Sequence, residues 1–169
     1  GMALPRHVSY PMPTWWDEMT PTEGSDLRRE SRQREKPNAL SLYLHIPFCE
    51  KLCRYCACNR VIQRKGGVEA ERRTQRYVDA LGREIERVRA ELGDGQTVRQ
   101  IHWGGGTPTY LTAAQFCELH ERLATAFVIA PDAEIAIEAD PRVTTRATLE
   151  TLRELGFNRV SLGIQDFDP

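Results

Sequence analysis

Four thiols within ten residues constrain this chain more than any other feature. Cys49, Cys53, Cys56 and Cys58 follow a C-x3-C-x2-C-x-C spacing, and the one remaining cysteine is Cys117. They come directly after Leu42-Tyr43-Leu44-His45-Ile46-Pro47-Phe48, an apolar run that reads as a buried strand interrupted by proline. A fold that accommodates this stretch has to end a strand, open a loop and keep four soft donors together.

The same strand–loop–helix order recurs downstream. The first strand, about 40–46, precedes the cysteine loop. A helix over 69–92 carries Tyr77, Leu81, Ile85, Val88 and Leu92 on one face and stops at Gly93-Asp94-Gly95. A strand at 98–103 runs into Gly104-Gly105-Gly106-Thr107-Pro108-Thr109. Thr112 and Gln115 are spaced as a capping box for a helix whose face is Phe116, Leu119, Leu123 and Phe127. A strand at 134–139 ends in Glu138-Ala139-Asp140-Pro141. A helix from about Thr145 shows Leu149, Leu152 and Leu155 and closes on Gly156, and a strand at 159–164 leads to Gln165-Asp166.

Alternating strands and helices predict an α/β fold with right-handed crossovers and a parallel sheet. Four such units fit either a doubly wound sheet or the opening of a β/α barrel, and periodicity does not choose between them. The unusual residues nevertheless share one location. The cysteines, the triple glycine, Glu138 and Gln165 all follow strand ends, at the edge of a parallel sheet where loops build active sites.

Residues 1–38 read as a largely irregular arm and 39–169 as the α/β domain. The charge run from Leu27 to Lys36 reads as a solvated surface with room for a helix, ended by Pro37. A net charge of −1 gives no global electrostatic case for nucleic acid or acidic lipid. No apolar run approaches the about 18 residues of a membrane span, and no signal peptide is evident. The chain is therefore expected in the cytoplasm, where thiols stay reduced. Gly1 ahead of Met2 reads as the scar of a cleaved tag.

Three readings of the thiols compete. A disulfide is disfavoured in a reducing compartment and in so tight a loop. A structural zinc site usually draws on two separated knuckles, whereas all four thiols here share one loop. An iron–sulfur cluster held by three of them fits the spacing best, and leaves one iron open to a ligand. Zinc remains the rival from another class.

C-x3-C-x2-C after a strand resembles the signature of the radical S-adenosylmethionine (SAM) enzymes. The wider set of blocks is similar to the oxygen-independent coproporphyrinogen III oxidase family. It comprises Tyr43 through Cys49, Cys56-Ala57-Cys58-Asn59, His102 through Thr109, Glu138 through Pro141, Gly156 through Arg159 and Gln165-Asp166-Phe167, with the arm at 5–11. The blocks span nearly the whole chain in order. The resemblance implies a partial radical SAM β/α barrel made of its first four strand–helix units. It also implies a [4Fe–4S] cluster on Cys49, Cys53 and Cys56, whose open iron takes the amino and carboxylate groups of SAM. Gly105, Gly106, Thr107, Glu138 and Gln165 become SAM contacts. Tyr43, Tyr55 and Cys58 lie toward the two SAM molecules the family is thought to hold, and Arg6 becomes a partner for a substrate propionate. His45 is expected to pack rather than ligate metal, and Cys117 to be a buried thiol.

The implied reaction is oxidative decarboxylation of two propionates of coproporphyrinogen III to vinyl groups, a step of haem biosynthesis. No catalytic group beyond the cluster and SAM is expected. An electron donor such as flavodoxin or ferredoxin is implied, and the protein is expected to be monomeric. Ala57 departs from the family's usual glycine. The chain is also less than half as long as family members, so it is expected to be a fragment that holds a cluster without turning over substrate. A haem chaperone of the same superfamily is the nearest alternative, and Cys58 and the arm at 5–11 argue against it.

Overall fold

The computed structural model describes residues 18–32, 39–53, 56 and 58–163. The chain divides into two units, Gly1–Pro37 and Asn38–Pro169. In the first, helix α1 (Pro21–Arg32) starts at a proline behind Thr20. Thr20 and Glu23 cap it reciprocally: the Glu23 N–H donates to the Thr20 hydroxyl at 3.3 Å, and the Thr20 N–H donates to the Glu23 carboxylate at 2.7 Å. The charge run is thus helical in part, in a helix that begins six residues before Leu27.

The second unit runs β1 (Leu40–Ile46), β2 (Phe48–Cys49), β3 (Val61–Ile62), α2 (Val68–Leu92), β4 (Thr97–Gly105), α3 (Ala113–Ala126), β5 (Val128–Ala139), α4 (Arg146–Glu154) and β6 (Arg159–Leu162). The main sheet is parallel in the order β1-β4-β5-β6. Each new strand joins the same edge, and with right-handed crossovers this puts every helix on one face. A doubly wound sheet would reverse direction at a switch point. The order therefore settles what periodicity left open, in favour of a partial β/α barrel.

The two faces differ sharply. Leu44, Ile46, Ile101, Trp103, Ile135 and Ile137 are buried toward the helices, in one core with Val78 and Ile85 of α2, Phe116, Leu119 and Leu123 of α3, and Leu152 of α4. Trp103 is fully buried, its ring 5.5 Å from those of both Phe116 and Phe157. The opposite face carries Tyr43, His45, Gln100, His102, Glu134, Glu138 and Arg159; Gln100–Glu134, His102–Glu138 and Arg159–Glu134 bond across strands, and Tyr43–His45 bonds along β1. On the edge strand β6, Val160 and Leu162 are exposed.

Three local features differ from the sequence expectation. β4 runs on to Gly105, because Gly104 and Gly105 still pair with His45 and Ile46 of β1. β5 begins at Val128, earlier than 134, since a register shift lets pairing resume at Glu134 after Ile129. The two-residue strands β2 and β3 have too little length to show a period. The capping box on α3 forms as expected, with Gln115 N–H to the Thr112 hydroxyl at 3.3 Å and Thr112 N–H to the Gln115 side chain at 3.1 Å. Thr112→Ala should cost about 1 kcal/mol, read as a thermal midpoint lower by about 2–4 °C.

Candidate active site

The cysteine loop leaves and rejoins the sheet edge through a clasp. Val61 N–H donates to the Pro47 carbonyl at 2.7 Å and Gln63 N–H to the Cys49 carbonyl at 2.9 Å, so β2 and β3 tie the loop's two ends together. Gln63 extends the tie into α2 through the Ala70 carbonyl (3.4 Å) and the Thr74 hydroxyl (2.9 Å). Within the clasp Cys49 is buried, Cys53 and Cys56 are half-buried, and Cys58 is exposed. A turn holds the middle pair, Cys56 N–H to Cys53 carbonyl at 3.2 Å. Burial pushes the Cys49 thiol above its ordinary pKa. The Thr107 hydroxyl, donating to Cys49 Sγ at 3.4 Å, pulls it back down, while the nearby Cys56 and Cys53 push it up.

The glycine run lies against this clasp. Gly106 N–H donates to the Ile46 carbonyl at 2.8 Å and Thr107 N–H to that of Phe48 at 2.9 Å. A Cβ on Gly106 would stand 2.7 Å from the Pro47 carbonyl oxygen and 2.9 Å from Cys49 Sγ. Gly105 has φ +118°, the left-handed region that favours glycine, and a Cβ there would strike the His45 ring at 2.7 Å. The glycines thus let the end of β4 approach the cysteine-bearing backbone as nothing bulkier would.

On the uncovered face one polar chain runs across β1, β4 and β5. The Glu138 carboxylate accepts from Gly105 N–H at 3.0 Å and meets His102 Nε2 at 3.3 Å. The Tyr43 ring stacks on His102, with centroids 5.8 Å apart. His45 Nε2 lies 2.9 Å from the Asn59 carbonyl, which can only accept, so Nε2 carries the proton and Nδ1 is free to accept from the Tyr43 hydroxyl at 3.2 Å. Tyr77 on α2 donates to the His45 carbonyl at 2.6 Å. His45 is therefore a hydrogen-bonded link between Tyr43 and the end of the cysteine loop, a more specific role than packing.

A third group closes the site from β5. Asp140 and Arg142 form a fork-like pair at 2.7–3.2 Å, and Arg142 Nη2 also lies 3.3 Å from Cys53 Sγ. Donation from Arg142 holds the Asp140 carboxyl below its ordinary range. A cavity of about 190 Å³ opens beside the pair, lined in part by Cys53, Thr107, Tyr110 and Lys65.

Among the described residues no three His, Cys, Asp or Glu side chains converge as a single metal ion requires. An iron–sulfur cluster asks for a different arrangement, with soft thiolates spread over separate irons. Three thiols on one clasped loop, backed by a glycine with no Cβ, fit such a group.

Of the residues singled out in the sequence, the structure brings Tyr43, Cys49, Cys53, Cys56, Cys58, Gly105, Gly106, Thr107 and Glu138 to one edge of the sheet. Arg6, Tyr55 and Gln165 lie outside the described residues. Cys117 is half-buried on α3, less enclosed than expected because it sits beside the helix's buried stripe rather than on it. Sequence reasoning passed over His102 and Arg142. Their signal was faint: His102 opens one quoted block and Arg142 follows another, but each acts through residues distant in the chain.

A family model described as the radical SAM superfamily matches residues 43–169. An oxygen-independent coproporphyrinogen III oxidase of Escherichia coli (strain K12) is 46% identical over 164 residues, covering 97% of this chain and 34% of that protein. One from Mannheimia haemolytica is 45% identical over 137 residues, 81% of this chain and 88% of that sequence. The solved coproporphyrinogen III oxidase of Escherichia coli, described as a radical SAM enzyme, superposes with a TM-score of 0.82 at 41% identity, over 95% of this chain and 35% of that one. The chain spans about a third of the length of the Escherichia coli relative.

Proposed function

This chain belongs to the radical SAM superfamily, and from that premise we propose that it supplies the cluster-bearing part of an oxygen-independent coproporphyrinogen III oxidase. The superfamily implies a [4Fe–4S] cluster and SAM. In this reading Cys49, Cys53 and Cys56 hold the cluster, and the substrate is coproporphyrinogen III. The observation that carries it is the clasped cysteine loop with Gly106 pressed against Cys49.

When bound, the cluster and SAM supply one-electron cleavage of a carbon–sulfur bond and the hydrogen abstraction that follows from it. The chain's own residues do the holding. Gly105, Gly106 and Thr107 bring backbone to the edge of the site without side-chain bulk. Glu138, aligned by Gly105 N–H and His102, offers a carboxylate to a polar group of SAM. Tyr43 and Cys58 stand on the open face, where a second SAM is placed in this reading. Tyr55 and Gln165 complete the SAM contacts, and Arg6 on the arm over 1–38 meets a propionate. An electron donor such as flavodoxin or ferredoxin, a monomeric state and a cytoplasmic setting belong to the same proposal. Among the described residues no helix is long and apolar enough to cross a membrane.

Anaerobic reconstitution followed by iron and sulfide analysis tests the reading. The chain is expected to take up a [4Fe–4S] cluster but to form no vinyl product from coproporphyrinogen III on its own. The full-length protein, given SAM and reduced donor, is expected to release 5′-deoxyadenosine and CO2. Stoichiometric zinc with no iron, or deoxyadenosine without decarboxylation, would overturn it.

A further inference from the structure

We propose that Arg142 is a positioning residue that donates to the sulfur of Cys53 and thereby raises the reduction potential of the cluster held there. The inference rests on the reading of Cys53 as a cluster ligand. The two residues are 89 positions apart, and the fold alone brings Arg142 Nη2 to 3.3 Å from Cys53 Sγ. The guanidinium is not free to drift. Its Nε and Nη2 donate to the Asp140 carboxylate at 2.9 and 2.7 Å, and the Arg142 backbone N–H donates to Asp140 Oδ1 at 2.9 Å. Nη2 carries two hydrogens, so with one on Asp140 the other is aimed at the sulfur.

The base of this arm is fixed in turn. The Thr144 hydroxyl donates to the Asp140 carbonyl at 2.7 Å and accepts from the hydroxyl of Thr109, which is buried next to the glycine run, at 2.9 Å. Arg142 thus joins the segment after β5 to the cysteine loop, and Asp140 and Thr144 tie its base to the segment after β4. The cavity lined by Cys53 and Arg142 leaves room beside them for a group larger than a metal ion.

Hydrogen bonds to cluster sulfurs and net local charge set iron–sulfur potentials. An arginine stays charged at any working pH. Its N–H pointed at a ligating sulfur stabilises the state with one more electron, and the carboxylate of Asp140 offsets only part of that charge. As a surface ion pair, with Arg142's side chain 66% exposed, the same contact has little effect on stability. Its influence should therefore appear in the potential rather than in the melting curve.

The experiment is a potentiometric titration of the anaerobically reconstituted chain, followed by electron paramagnetic resonance of the reduced cluster and preceded by iron and sulfide analysis. In Arg142→Met the reduced-to-oxidised ratio at a fixed potential should fall about tenfold, a shift of ~59 mV toward more negative potential for one electron. Arg142→Lys keeps the charge but loses the fork and should fall between that variant and the unchanged chain. Equal potentials in fully loaded Arg142→Met and unchanged chain would overturn the inference. Should Arg142→Met take up no iron, Arg142→Lys and Arg142→Gln are titrated instead, and potentials equal to the unchanged chain overturn it. An unchanged chain that takes up no iron and sulfide would overturn the cluster reading, and the inference with it.

Discussion

Replacing Gly106 by alanine is expected to leave the reconstituted chain nearly free of iron. The added Cβ would sit 2.7 Å from the Pro47 carbonyl oxygen and 2.9 Å from Cys49 Sγ, closer than real Cβ contacts come. The backbone on either side cannot yield. Pro47's carbonyl accepts the Val61 N–H that closes the clasp, and Gly106 is itself bonded to Ile46. Relief has to come from moving the end of β4 away from β2, which also breaks the Thr107–Phe48 bond and withdraws the Thr107 hydroxyl from Cys49. Overpacking of this kind costs about 1–3 kcal/mol, so the thermal midpoint should drop by about 2–4 °C per kcal/mol. Iron content is the sharper readout, because the thiol that moves is one of the proposed ligands. Gly82→Ala is the control: the atoms nearest its Cβ are the end of the Arg122 side chain, and iron content should not change. Equal iron in the two variants would mean that the close approach at Gly106 does not matter to the site.

Serine in place of Cys49, Cys53 or Cys56 should remove most of the cluster, whereas Cys58→Ser should keep it. Serine offers a hard oxygen where a soft thiolate is needed. The expected contrast comes from position on the loop. Cys49 is enclosed in the clasp, and Cys53 and Cys56 are half-buried beside it, while Cys58 is exposed beyond them, its backbone carbonyl accepting from Arg60 at 2.8 Å. Iron, sulfide and the visible spectrum of the four variants check this. If Cys58→Ser lost as much iron as the others, the ligand set would be closed, and no iron would remain open to SAM.

Much of this was legible in order along the chain. Helices α2, α3 and α4 announce themselves through apolar steps of three and four, and the Thr112 box and Gly156 mark ends that local chemistry alone dictates. The cysteine spacing was equally explicit, because the thiols lie on one short loop. β2 and β3 were not legible, since two residues cannot show a period and their pairing partners lie across the loop. The start of β5 at Val128 was hidden because its pairing breaks after Ile129 and resumes only at Glu134.

By itself the sequence determined the helices, the four main strands and their order, because hydrophobic period, caps and glycine stops act over a few residues. It also determined that three or four thiols would share one loop. Only the tertiary structure decided that the sheet advances in one direction, so that one face is covered by helices and the other is left to Tyr43, His102 and Glu138. It alone brought Gly106 against Cys49 and Arg142 against Cys53. Those pairs are 57 and 89 residues apart, and no local rule joins them. Crossover handedness and strand register do, by fixing which strand ends arrive at the same edge.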